Sequence, residues 1–299
     1  MIPDRSHVLT ETRNPASTGL HRLDPAGIVA VMVAEQRAVD AAFSAAAPAI
    51  SAFISAVEPG FLRGGRLIQL GAGTSGRLAV LDASEIPPTF NVSKDRVIGL
   101  IAGGDGSLRK SSEGREDEPH GALAELLGLN LGPDDALLGI AAGGTTPYVR
   151  GALEWAAQLP APPVTGLLTC APCGAVPGCG HTLLLATGPE VLTGSTRLKA
   201  GTATKLALNA ISTALMIRSG LVYDNLMVNV RATNVKLRDR AARIVAALVD
   251  CPREAALSLL DQADGQVAVA VVMGRFTCNR ADAAAKLAAA GSLAAVIDG

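Results

Sequence analysis

Five short apolar runs, most of them ending in or leading into glycine, constrain this chain more than any other feature. They are "RLIQLGAG" (66–73), "RVIGLIAGG" (96–104), "ALLGIAAGG" (136–144), "VTGLLTC" (164–170) and "HTLLLATG" (181–188). A strand buried on one face alternates apolar with polar residues, whereas a strand buried on both faces reads as a nearly continuous apolar run, as these do. Stretches of helical type lie between most of them, such as "SSEGREDEPHGALAELLGL" (111–129) and "TPYVRGALEWAAQL" (146–159). Strand, helix, strand at this rhythm predicts an α/β fold with a doubly wound, parallel, five-stranded sheet. Ligands of such sheets sit beyond the carboxyl ends of the strands. Those ends are where this sequence places its glycines and hydroxyls.

The flanks read differently. Residues 24–57 read as one or two helices, with Asp24 as N-cap and Pro25 at the first helical position. Residues 193–220 read as a long helix closed by Gly220. Further on come short Ala- and Leu-rich helices, "REAALSLLDQA", "GQVAVAVVMGRF" and "RADAAAKLAAAG". The expected division is an N-terminal helical segment (1–47), a ligand-binding α/β domain (48–225) and a small C-terminal helical subdomain (226–299).

Composition removes several classes of function. Lys and Arg (26) nearly balance Asp and Glu (27), and aromatic residues make up 3% of the chain. Neither a charge pull toward nucleic acid or anionic membrane nor a base-stacking platform is expected. No uninterrupted apolar run approaches the roughly 18–20 residues of a membrane span. The opening "MIPDRSHVLTETRNP" lacks the layout of a secretory signal, and the expected compartment is the cytoplasm. Five cysteines without a signal suggest reduced thiols. Cys170, Cys173, Cys179 and His181 stand close together; they read either as a zinc site or as a strand-end loop of small residues.

Gly71, Gly73 and Gly76 form a complete G-x-G-x-x-G between a strand and a helix. The dinucleotide fingerprint also wants an acid about 20 residues on, and here the next strand ends in "IAGG". A Walker A loop would need lysine and a hydroxyl where Arg77 and Leu78 stand, and a hydrolase elbow would need glycine at Arg77. What remains is Gly73, Thr74, Ser75 and Gly76 at a helix N-terminus, suited to a phosphate monoester. A second hydroxyl pair, Thr145 and Thr146, follows another strand. Either pair alone reads as ordinary N-capping; two pairs at two strand ends point to a shared phosphate. Arg197 and Lys199 carry positive charge into a helix start, where the dipole disfavours it. They read either as meeting a substrate anion or as pairing with Glu190.

The blocks "TETRNPAST", "GAGTSGRLAVLDASEIPPTF", "EGRED", "GPEVLTGSTRLKAGTATKLALNAISTALMI" and "NLMVNVRATNVKLRDR" resemble N-acetylmuramic acid 6-phosphate etherases. The likeness covers about residues 10 to 245. It implies a sugar-isomerase-type (SIS), flavodoxin-like domain, a homodimer with its site near the subunit interface, and a cytoplasmic role in cell-wall sugar recycling. The animal glucokinase regulatory protein looks like a distant relative. The implied reaction removes the D-lactyl ether from C3 of the muramic sugar, with neither metal nor redox cofactor. Glu85, in "DASEIPP", and Glu116, in "EGRED", match the family's two active-site glutamates. By themselves, Glu85 reads as a surface acid before Pro87 and Pro88, and Glu116 as part of a solvated helix face.

The chain departs from the family's usual A-A-S-G-R-T-P-Y with "AAGGTTPY": Gly143 replaces a hydroxyl and Thr145 an arginine. One lost neutral hydrogen bond is worth about 0.5–1.5 kcal/mol, which weakens binding without abolishing it. Spacing adds a further expectation. A continuous helix would hold Ser75 and Glu85 about 15 Å apart, more than one hexose spans. Either the helix breaks early or phosphate and acid come from different subunits. Two rivals remain open: a non-catalytic sugar-phosphate-binding regulator, and an aldose–ketose phosphosugar isomerase.

Overall fold

The computed structural model describes residues 8–110, 113–231 and 234–299. The first two residues of the helical stretch expected from 111 lie outside the described residues, as does "AT" (232–233) of the last family block. The ten α-helices and five strands of the described residues are named in chain order below. By compactness the chain forms two units, one of Met1–Ser84 with Lys94–Ser212 and one of Glu85–Ser93 with Thr213–Gly299.

In the first unit, β1 (Leu67–Gly71), β2 (Val97–Ile101), β3 (Ala136–Ile140), β4 (Val164–Thr169) and β5 (His181–Leu184) coincide with the five apolar runs. They form one sheet in the order β2-β1-β3-β4-β5, and every neighbouring pair is parallel. The order reverses direction between β1 and β3, the switch point at which doubly wound sheets open a crevice. Both faces are covered, which is why the runs do not alternate. On one face, α4 (Pro147–Ala157) packs Val149 and Leu153 over Gly139. On the other, α1 (Pro25–Leu62) drives Phe53 over Gly166, where a Cβ would sit 2.8 Å from the ring.

The helix α1 is a single element despite Pro48 and Pro59, and it starts as read: the Asp24 carboxylate accepts from the Gly27 amide at 2.8 Å, with Pro25 first in the helix. Val39, Ala42, Ala46, Ile50, Phe53, Val57 and Phe61 are buried at three- and four-residue spacing, the stripe of a helix laid on a sheet. By length and composition α1 is apolar enough to cross a membrane, with a mean hydropathy of 1.4 over its most apolar window. Alanines and valines raise that mean without forming an uninterrupted apolar run. The buried stripe is what packing on the sheet requires.

One sequence expectation needs correction, over residues 111–129. Among its described residues only α3 (Leu123–Leu129) is α-helical; Glu113–Arg115 form a 3₁₀ turn and the other described residues are turn and loop. Gly114, Pro119 and Gly121 interrupt the charged stretch, and it lacks an apolar stripe that would reward a helix for forming.

The second unit is a helical cluster. It holds the end of α2 (Gly73–Phe90), the end of α5 (Lys199–Arg218), and then α6 (Val235–Val249), α7 (Arg253–Gln262), α8 (Val267–Phe276), α9 (Arg280–Ala290) and α10 (Leu293–Ile297). Its core is built from Val245, Leu260, Val271 and Val272, all fully buried. Gly220 ends α5 with φ +74°, as its C-cap reading requires.

Candidate functional site

A cavity of about 250 Å³ opens beyond the carboxyl ends of β1 and β3, at the switch point. Its walls come from three loops. The first follows β1 and is shaped by its glycines, each for its own reason. A Cβ on Gly71 would lie 2.8 Å from the Gly76 nitrogen, and one on Gly76 would lie 2.5 Å from the Gly71 oxygen and 2.6 Å from Ile101. These two glycines let α2 approach its strand. Gly73 has φ +53° and makes the turn into the helix.

The first α2 amide to bond back is that of Gly76, to the Ala72 oxygen at 3.3 Å. The amides of Gly73, Thr74 and Ser75 lead the helix and lack an intrahelical acceptor. Gly73, Thr74 and Ser75 line the cavity; Gly76, buried between strand and helix, does not. Arg77 binds the carbonyls of Ser107 (2.7 Å) and Leu108, holding the loop after β2. Its guanidinium therefore does structural work where a Walker lysine would meet phosphate.

The second loop follows β3. Ala142, Gly143 and Thr146 line the cavity, while Thr145 is half-buried outside the lining. Gly143 thus stands at the wall where the family's usual hydroxyl would project. Thr146 is the N-cap residue of α4 but makes no side-chain capping bond, so the ordinary reading of this hydroxyl is not realised.

The third loop carries Glu116 and Asp117. Glu116 is half-buried at the cavity wall, on a turn rather than a solvated helix face. Its backbone carbonyl accepts from the Tyr148 amide at 3.0 Å. Gly121 lies against the Tyr148 ring, and Gly151 lies so close to Pro119 that a Cβ there would be 1.9 Å from the Pro119 oxygen. α4 and the acid-bearing loop are thus seated directly on each other. Burial, with the Glu125 carboxylate beside it, pushes the Tyr148 phenol above its ordinary range, so it stays protonated. Glu118, later in the acidic run, is solvated: it pairs with Arg115 at 2.9 Å, both exposed.

Sequence reading did not find the remaining wall. Thr10 and Glu11, in the 3₁₀ turn Leu9–Glu11, and Gly194 and Thr196, before α5, complete the cavity. The Gly194 amide donates to the Thr10 carbonyl at 3.1 Å, joining the two segments. Neither has strand or helix periodicity; the signal available was the conjunction of "TETRNP" and "LTGSTR" among the family blocks.

Lys199 lies elsewhere. It is 4% exposed, its ammonium is paired with Glu35, and it is outside the cavity lining. Glu190, fully buried, turns its carboxylate to the amides of Lys199 and Ala200, each at 2.9 Å. The positive charge at this helix start is therefore offset by Glu35, while Glu190 satisfies the leading amides. The Lys199 ammonium, with Asn14, holds the Glu35 carboxyl below its usual range. Arg197 is exposed.

Glu85, exposed, belongs to the second unit. α2 does not break before it, so the ten residues from Ser75 to Glu85 lie along one helix, about 15 Å by helical rise.

The cysteine cluster is dispersed in its bonding. Cys170 is buried beside the Ala200 carbonyl and Thr204, and Cys179 donates to the His181 carbonyl at 2.9 Å. Among the described residues no group of three or more His, Cys, Asp or Glu is placed to hold a metal ion.

Comparison with known proteins agrees with this arrangement. Residues 48–157 match the glucokinase regulatory protein N-terminal SIS domain. An N-acetylmuramic acid 6-phosphate etherase of Gloeobacter violaceus is 48% identical over 293 residues, covering 98% of this chain and 95% of that protein. Etherases of Serratia proteamaculans (48% identical, 89% of each chain) and Deinococcus radiodurans (44% identical, 94% of this chain and 92% of that one) are similarly alike. With a parallel SIS-type sheet, a cavity at its switch point and identity of this order along the whole chain, the protein belongs to the N-acetylmuramic acid 6-phosphate etherase family.

Proposed function

We propose that this chain is a carbon–oxygen lyase that cleaves the D-lactyl ether of N-acetylmuramic acid 6-phosphate in the cytoplasm, giving N-acetylglucosamine 6-phosphate and D-lactate. The observation that carries the reading is one cavity with two kinds of wall. The leading amides and hydroxyls of Thr74 and Ser75, with Thr146, form an anion-binding face, and Glu116 lies on the acidic wall. No lysine or arginine is among the described lining residues, so the phosphate is held by neutral donors and the α2 dipole. Gly76 supports that face from behind; Thr145 and Lys199 serve it indirectly, through the loop after β3 and through Glu35.

An ether is a poor leaving group, and direct displacement is slow. In the open-chain aldehyde the C2 proton is acidic. A carboxylate takes it, lactate leaves C3 with a proton supplied, and water adds to C3 of the double bond so formed. Glu116 and Glu85 are the two acids of this scheme, and it draws only on carboxyl groups and water.

The uninterrupted α2 supports a homodimer in which Glu85 of one copy serves the phosphate-binding loop of the other. D-lactate release from N-acetylmuramic acid 6-phosphate tests the activity. Sugar-phosphate binding without lactate would leave a regulator, and a ketose product without lactate an isomerase. Mixing Ser75→Ala with Glu85→Gln chains tests the shared site: activity recovers in the mixed dimer if the site is shared, and stays absent if each copy works alone.

A further inference from the structure

Among the described residues lining the cavity, the charged ones are all acidic: Glu11, Glu116 and Asp117. For a cavity read as anion-binding, each of these carboxylates works against the phosphate. Two follow from the loop that bears the proposed proton-transfer acid. Glu11 arrives on a separate segment, and its position is expensive to build.

Four contacts fix that segment. The Asn14 side chain donates to Glu35 at 2.7 Å and to the Pro189 carbonyl at 3.2 Å, Lys199 clamps Glu35, and the Thr10 carbonyl accepts from Gly194. The Glu11 carboxylate lies against Gly194, its Oε2 2.8 Å from where a Cβ would stand. Gly194 has φ +74°, so the chain is both left-handed and bare where the acid rests. Among the described residues no donor or cation meets the Glu11 carboxylate. Beside it, Thr10 is 1% exposed with its Oγ1 unpartnered among the described residues. A carboxylate held on a cavity wall with no donor among the described residues is set for one that arrives with a ligand.

We propose that Glu11 is a specificity-determining residue that accepts hydrogen bonds from the sugar, through a ring hydroxyl or the acetamido N–H, and so selects a phosphosugar over a bare phosphate. The inference rests on the phosphosugar reading of the same cavity. It predicts opposite responses to two ligands, which a structural role would not produce. Removing the charge removes an acceptor from the sugar and a repulsion from the phosphate.

The experiment titrates full-length wild type, Glu11→Gln and Glu11→Ala with N-acetylglucosamine 6-phosphate and with inorganic phosphate. Glu11→Ala is expected to weaken sugar-phosphate binding about tenfold, the usual worth of a hydrogen bond to a charged group, while phosphate binding holds or tightens. Glu11→Gln keeps an acceptor oxygen and should fall between. A parallel loss for both ligands, as a displaced loop would cause, or no change in their ratio overturns the proposal. Wild type that binds phosphate but not the sugar phosphate overturns the phosphosugar reading as well, so the two failures are distinguishable.

Discussion

Replacing Gly151 by alanine sets two elementary effects against each other. Gly151 lies inside α4, where alanine is favoured over glycine by about 1 kcal/mol of helix propensity. A Cβ there would stand 1.9 Å from the Pro119 oxygen and 2.7 Å from its carbonyl carbon, whereas ordinary contact begins near 3.4 Å. Helix and loop must part by about 1.5 Å, and overpacking of this kind costs roughly 1–3 kcal/mol. Because the obstacle is backbone, the clash should win, and Gly151→Ala should be destabilised by about 1 kcal/mol in urea unfolding. The larger effect falls on catalysis. The displaced loop carries Glu116, and misplacing a reacting group by about 1 Å costs on the order of 100-fold in rate. Lactate release should therefore fall about 100-fold, while inorganic phosphate binding, which uses Thr74 and Ser75 after β1 as well as Thr146 at the start of α4, should fall far less. A variant that is more stable and turns over within twofold of wild type would refute the reasoning.

Other outcomes follow from single contacts. Burial alone would raise the Asp135 carboxyl, but the Arg66 guanidinium at 2.7 Å and the amides of Gly132 and Arg66 outweigh it, so the group titrates below its ordinary range. A depressed folded pKa contributes stability above the unfolded value of about 3.9 and loses it as pH falls through the folded one. Asp135→Asn should cost about 3 kcal/mol in urea at pH 7, and the difference from wild type should shrink below about pH 4; a difference that grows on acidification would contradict this. Burial pushes the Cys170 thiol up to about 12. In native protein at pH 8 a thiol reagent should therefore leave Cys170 unmodified until denaturant is added, and peptide mapping that finds it labelled first would oppose the assignment.

The sheet was legible because residues buried on both faces leave a continuous apolar run, and all five runs became strands. Asp24 and Pro25 announced α1 through local chemistry that needs no tertiary partner. The site was half legible. Thr74, Ser75 and Thr146 could be read at strand ends, where the fold class itself says ligands bind. Glu11, Gly194 and Thr196 could not, since they reach the wall through an irregular segment whose position depends on Asn14, Glu35 and Lys199 meeting across long sequence separations. Lys199 shows the same limit from the other side. Its charge at a helix start signalled a partner, and only the packing of α1 identified it as Glu35.

The central step of the proposed reaction is removal of the C2 proton of an open-chain phosphosugar by a carboxylate. Turnover of N-acetylmuramic acid 6-phosphate in deuterium oxide, with the product read by mass and proton NMR, tests that step most directly. The expected products are D-lactate together with N-acetylglucosamine 6-phosphate carrying one deuterium at C2, with loss of both in Glu116→Gln. Lactate released with hydrogen retained at C2 would mean direct displacement at C3 and would contradict the proposed reaction.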